Sequence, residues 1–117
     1  INDLLENSDF ISLHVPMPKD GKPVIGSSEF KKMKDGVRLI KAARGGVVDE
    51  NALIDAINSE KVSFAALDVF VGEPKPSKDL LLNDKISITH HIGAATLEAQ
   101  DRIGTELAYK IINFYNQ

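Results

Sequence analysis

The sequence predicts a parallel α/β sheet. Four short runs rich in β-branched residues, DFISLHV (9–15), VRLIKA (37–42), SFAALDVF (63–70) and KISITH (85–90), are near-continuously apolar and of strand length, as strands covered on both faces are. Helical candidates separate the first three. The resulting order (strand, helix, strand, helix, strand, loop, strand) is that of parallel strands joined by right-handed crossovers.

The connecting segments follow from their own chemistry. SSEFKKMK (27–34) is the first helical candidate and ENALIDAINSE (50–60) the second, with Asp49 in front of it as an N-cap. GEPKPSKD (72–79) reads as loop because of its prolines and glycine, so the last crossover should contain little helix. The chain closes with TLEAQDRIGTELAYKIINFYNQ (96–117), where Ile103, Leu107, Ile111 and Phe114 recur at helical spacing and Thr96 can cap the start. Such a stripe has to pack on something, either the chain's own sheet or a second domain.

Composition narrows the function. With 117 residues, 43% of them hydrophobic and 26% charged, the chain has the make-up of one globular domain. Its net charge of -3 comes without a basic run, which argues against nucleic acid as a partner. No apolar stretch approaches the length of a membrane span. The absence of cysteine removes disulfides, thiolate nucleophiles and thiolate metal ligands together, and is compatible with a cytoplasmic location. The chain starts at Ile1, as if inside an element, and is expected to be a piece of something longer.

Open parallel sheets bind ligands beyond the carboxyl ends of their strands. Here those ends carry His14, Arg44, Asp68, His90 and His91, which parallel pairing gathers on one edge. Gly45 and Gly46 follow Arg44 and allow positive φ and close backbone approach to a ligand, while Glu73 lies five residues after Asp68. An arginine, a carboxylate and a histidine are the groups needed to bind a carboxylate anion and move a proton. Adjacent histidines at a strand end diverge, and no further ligands cluster beside them, so no metal site is expected.

The blocks ARGGVVDENALIDAI, AALDVFVGEP and THHIGAATLEAQ, preceded by SDFISLHVPMP, resemble successive signatures of the NAD-dependent D-2-hydroxyacid dehydrogenases. The last block is most similar to the D-3-phosphoglycerate dehydrogenase branch. The resemblance implies half of a Rossmann-type, doubly wound parallel sheet: residues 1–96 as the C-terminal half of the NAD-binding domain, and 97–117 as a helix returning toward a substrate domain. It implies hydride transfer between NAD and a D-2-hydroxy acid, with 3-phospho-D-glycerate and 3-phosphohydroxypyruvate as the pair used in serine biosynthesis. A hydroxypyruvate or glyoxylate reductase, and an NAD-sensing corepressor-like interaction protein, are the alternatives. The whole protein would be a cytoplasmic homodimer or larger assembly whose partner is a small 2-hydroxy or 2-keto acid.

Roles are implied residue by residue. Arg44 matches the arginine that binds the substrate carboxylate, His91 the acid/base histidine, and Glu73 the acid that holds its imidazole and favours the protonated form. Asp68 matches the carboxylate that receives the nicotinamide amide. Val15, Pro16, Ala42, Ala43, Arg44, His91 and Gly93 match positions lying along the cofactor. Three departures stand out. Lys41 replaces the family's usual asparagine, and either helps to bind a substrate phosphate or lays its stem along the strand end with its ammonium in water. His90 replaces a common proline. No G-x-G-x-x-G occurs, nor the acid that reads the ribose, which leaves NAD against NADP open and an unpaired strand edge where the sheet's first strand would lie.

Overall fold

The computed structural model describes residues 1–116. Strands β1 (Phe10–Leu13), β2 (Val37–Lys41), β3 (Val62–Leu67) and β4 (Ile86–Ile88) form one parallel sheet in the order β1-β2-β3-β4. The helices are α1 (Asn2–Asn7), α2 (Ser27–Lys32), α3 (Glu50–Asn58), α4 (Lys78–Leu81) and α5 (Leu97–Tyr115). Each strand predicted from the sequence is present, shortened at its ends. The last crossover holds only the four residues of α4. Helix α1 has no counterpart among the predicted elements; a single apolar anchor, Leu5, fixes it to the core.

Local chemistry sets the elements. The Asp49 carboxylate accepts from the Ala52 N–H at 3.1 Å and starts α3, which buries Ala52, Leu53, Ala56 and Ile57 on one face. Glu29 closes the start of α2 by reaching back to the Gly26 N–H. Ile11, Leu13, Val37, Leu39, Val62, Ala65 and Leu67 join Leu5, Phe30, Leu53 and Leu80 in one buried cluster, so α1 to α4 cover the same face of the sheet. A bulge places Val62 opposite Val37 and Phe64 opposite Arg38, leaving Ser63 over. This explains why the inward residues of β3 skip from 62 to 65.

The expectation that both faces are covered is not met within the described residues. Phe10, Ile40 and Phe64 lie on the opposite face and are exposed, Phe10 by 60%. The Arg38 guanidinium stands 5.0 Å from the centre of the Phe10 ring. The strands are apolar on both sides, but among the described residues helices pack on only one. β1 is an edge of the sheet, as expected. Helix α5 does not lie on its own sheet: it contains no buried residue, and Ile103, Leu107, Ile111 and Phe114 are open to solvent.

Candidate active site

The carboxyl ends of β1 and β2 shape the first part of the site. The Ala42 N–H donates to the Leu13 carbonyl, which extends the pairing of these strands by one step before the chain turns. His14, Val15, Pro16, Ala42, Ala43 and Arg44 line a cleft of about 260 Å³ just beyond. The Ala43 side chain points into the core, so its backbone forms the wall. Arg44 is exposed, and its Nη1 donates to the Ala43 carbonyl at 2.8 Å. One of the five guanidinium donors is thereby used and the others remain for an anion. The His14 Nε2 pairs with the Ser12 hydroxyl at 2.7 Å, which ties this histidine to its own strand.

The glycines after Arg44 have separate reasons. Gly46 has φ +83°, in the left-handed region. At Gly45 a Cβ would stand 2.7 Å from the Phe70 carbonyl oxygen, so no side chain fits. The close approach anticipated for a ligand is thus made by the backbone after β3. It brings the Arg44 turn against the segment that carries Glu73. Val47 anchors the turn from the other side, accepting from the Val24 N–H at 2.8 Å.

Beyond β3 and β4 a second group assembles. The Glu73 Oε2 meets the His91 Nδ1 at 2.9 Å, and the Glu73 Oε1 accepts from the Phe70 N–H at 3.1 Å. The hydrogen bond from His91 holds the Glu73 carboxyl below the usual carboxylate range. The Phe70 N–H adds to that effect, while burial and the nearby Asp68 oppose it. An ionised carboxylate only accepts, so the His91 Nδ1 carries the proton of this bond and Nε2 is the nitrogen left to exchange one. As the pH falls through the depressed Glu73 pKa the pairing is lost; above the ordinary carboxylate range it is fully present.

Asp68 fixes the histidine's backbone. Its Oδ1 accepts from the His91 N–H at 3.1 Å and from the Thr89 hydroxyl. His91 has φ +51°, an uncommon conformation for a residue with a side chain, and the Asp68 bond helps to hold it there. Phe70, Glu73, Pro74, Thr89, His90 and His91 are among the residues lining a second cleft of about 310 Å³. The two adjacent histidines differ in their partners: His91 is engaged by Glu73 and Asp68, whereas the His90 side chain makes no hydrogen bond among the described residues.

Lys41 requires a correction to both readings. Its side chain is fully buried, with Nζ 3.0 Å from the Glu50 Oε1, so it neither faces a substrate nor leaves its ammonium in water. The reason is register. Lys41 continues the inward series Val37, Leu39 on β2 and meets the acid at the start of α3. Glu50 was legible only as a first-turn helix residue, and Thr89 only as part of a strand. The structure adds both to the site's supporting frame.

Arg44 and the Glu73–His91 pair share an edge and are linked through the Gly45–Phe70 contact, although no hydrogen bond joins them among the described residues. The open space around Gly93 lies past His91, with no atom beyond its chain neighbours within 4 Å of where a Cβ would stand.

Residues 1–93 match the family model described as D-isomer specific 2-hydroxyacid dehydrogenase, NAD binding domain. The chain is 50% identical over 111 residues to a D-3-phosphoglycerate dehydrogenase of Archaeoglobus fulgidus, covering 94% of this chain and 21% of the relative. It is 46% identical over 114 residues to a hydroxypyruvate reductase of Thermotoga maritima, covering 95% and 37%. Among solved structures, a D-lactate dehydrogenase of Aquifex aeolicus complexed with NAD and lactic acid superposes with a TM-score of 0.76 at 36% identity, over 98% of this chain and 39% of that one. The chain therefore spans well under half the length of each. With a half-Rossmann sheet, and with 93 of its residues matched in order, the chain belongs to the NAD-binding domain family of the D-isomer specific 2-hydroxyacid dehydrogenases.

Proposed function

We propose that this chain is the acid/base half of an NAD-dependent D-2-hydroxyacid dehydrogenase whose substrate is 3-phospho-D-glycerate. The observation that carries the proposal is the His91 Nδ1 on Glu73 at 2.9 Å, which leaves Nε2 for proton transfer on the ligand edge of the sheet. The choice of substrate rests on the name of the Archaeoglobus relative at 50% identity. The Thermotoga hydroxypyruvate reductase, at 46%, supports a second reading with an unphosphorylated substrate. Lys41, buried against Glu50, serves a substrate phosphate in neither reading.

The residues present fit the nicotinamide end of the cofactor. The cleft beside Val15, Pro16 and Ala42 is walled by small or rigid residues, Gly93 leaves open space, and Oδ2 of Asp68 accepts no hydrogen bond among the described residues and is suited to an amide donor. When bound, NAD supplies the hydride acceptor. In oxidation, neutral His91 takes the hydroxyl proton at Nε2; in reduction, the same nitrogen returns it. Glu73 keeps the imidazole oriented and stabilises its charge. Arg44 binds the substrate carboxylate with its planar fork and holds the reacting carbon in place. Helix α5 then returns to a substrate domain, which gives its open stripe a partner. In the same reading the whole protein is cytoplasmic and works as a homodimer or larger assembly.

Arg44→Lys in the whole protein keeps the charge but removes the fork. KM for the preferred 2-hydroxy acid is expected to rise by about tenfold or more, the equivalent of one charge-assisted hydrogen bond of ~1.5 kcal/mol. NAD affinity should stay nearly constant. Steady-state kinetics on 3-phospho-D-glycerate and on D-glycerate check this and separate the two substrate readings. An unchanged KM for both acids would remove Arg44 from the substrate site.

A further inference from the structure

We infer that Lys41 and Glu50 are positioning residues: their ion pair, buried on the lysine side and half-buried on the glutamate side, fixes the turn after β3, and through it the Glu73 carboxylate that holds His91. This deepens the dehydrogenase reading and rests on it for its catalytic meaning. The connection is continuous. The Lys41 Nζ, with no exposure, donates to the Glu50 Oε1 at 3.0 Å, and the same oxygen accepts from the Val71 N–H at 2.8 Å. The neighbouring Phe70 N–H donates to Glu73, and Glu73 meets His91.

Stability alone does not call for this pair. A buried lysine and a half-buried glutamate give up hydration, and apolar residues of the same volume often serve a core equally well. The position of Lys41, next in line after Val37 and Leu39 on the covered face, would suit methionine. What apolar residues cannot supply is an acceptor for the Val71 N–H. The turn needs one, because Val71, Gly72 and Glu73 are all exposed and have little packing to place them. Glu50 holds the turn from beneath, while Gly45 packs against the Phe70 carbonyl from the Arg44 side. The turn is clamped between the substrate arginine's loop and the start of α3. The groups facing Glu73 are then His91 and Asp68, whose opposite effects on its carboxyl depend on where the turn stands.

The test uses nuclear magnetic resonance on the 117-residue chain. In the double variant Lys41→Met with Glu50→Leu, the melting transition is expected to stay within a few degrees of the parent. Amide exchange at Val71 should accelerate by about tenfold or more, the effect of losing one charge-assisted hydrogen bond. The Glu73 carboxyl titration should move back up toward the ordinary glutamate range. Should the double variant not fold, Glu50→Gln decides: its amide oxygen can still accept from Lys41 and Val71 but carries no charge, so the same two changes are expected at smaller size. Unchanged Val71 exchange and unchanged Glu73 titration, in whichever variant folds, would overturn the inference. Because neither readout is turnover, an inactive whole protein would sink the dehydrogenase reading and leave this result standing.

Discussion

Replacing His91 with alanine in the whole protein is expected to lower kcat by ~10²–10⁴-fold, the usual contribution of a positioned general acid/base, while NAD affinity stays nearly the same. The expectation rests on two contacts and one backbone conformation that meet at a single residue. Glu73 holds Nδ1, Asp68 holds the backbone N–H, and the left-handed backbone at His91 turns the chain beyond β4. No neighbour repeats this arrangement. His90→Ala is the control, since the His90 side chain makes no hydrogen bond among the described residues, and its turnover should remain close to the parent. Turnover of the His91 variant within about tenfold of the parent would exclude it as the acid/base. The variant has a second readout: without its main hydrogen-bond donor, Glu73 should titrate closer to the ordinary carboxylate range.

The 117-residue chain itself is expected to bind NAD no more tightly than ~1 mM and to show no dehydrogenase turnover, although it carries Arg44, Glu73 and His91. Dinucleotide affinity in this kind of sheet comes largely from a glycine-rich turn that sets the pyrophosphate on a helix N-terminus, and from an acid on the ribose. The eight glycines of this sequence form no such turn. What remains suits the nicotinamide end alone. Without a facing domain, no closed cleft excludes water or holds a substrate against Arg44. Calorimetric titration of the purified chain with NAD checks this. Micromolar binding would mean that the cofactor site lies elsewhere on these residues.

The sheet was legible because its strands are apolar runs of the right length, and because helix signals such as Asp49 before ENALIDAINSE are local. The strand ends were legible for the same reason, and with them the edge that gathers Arg44, Asp68 and His91. Lys41 was not legible. Its fate depends on which face of β2 receives helices, and on Glu50 lying beneath it across the Arg44 turn, neither of which a sequence window contains. The glycine pair was half legible: positive φ at Gly46 is a local property, whereas the partner that Gly45 approaches, Phe70, lies on another strand's exit. The bare face carrying Phe10, Ile40 and Phe64 escaped for a related reason. Apolar strands look alike whether their second cover comes from within a chain or from outside it.

A chimera tests the central claim most directly. Residues 1–117 would replace the matching segment of the Archaeoglobus fulgidus D-3-phosphoglycerate dehydrogenase, to which they are 50% identical over 111 residues, and NADH formation from 3-phospho-D-glycerate would be followed. The expected result is turnover within about tenfold of the parent enzyme, abolished by His91→Ala in the same background. A folded chimera that binds NAD but has no turnover, or one whose turnover survives His91→Ala, would contradict the account.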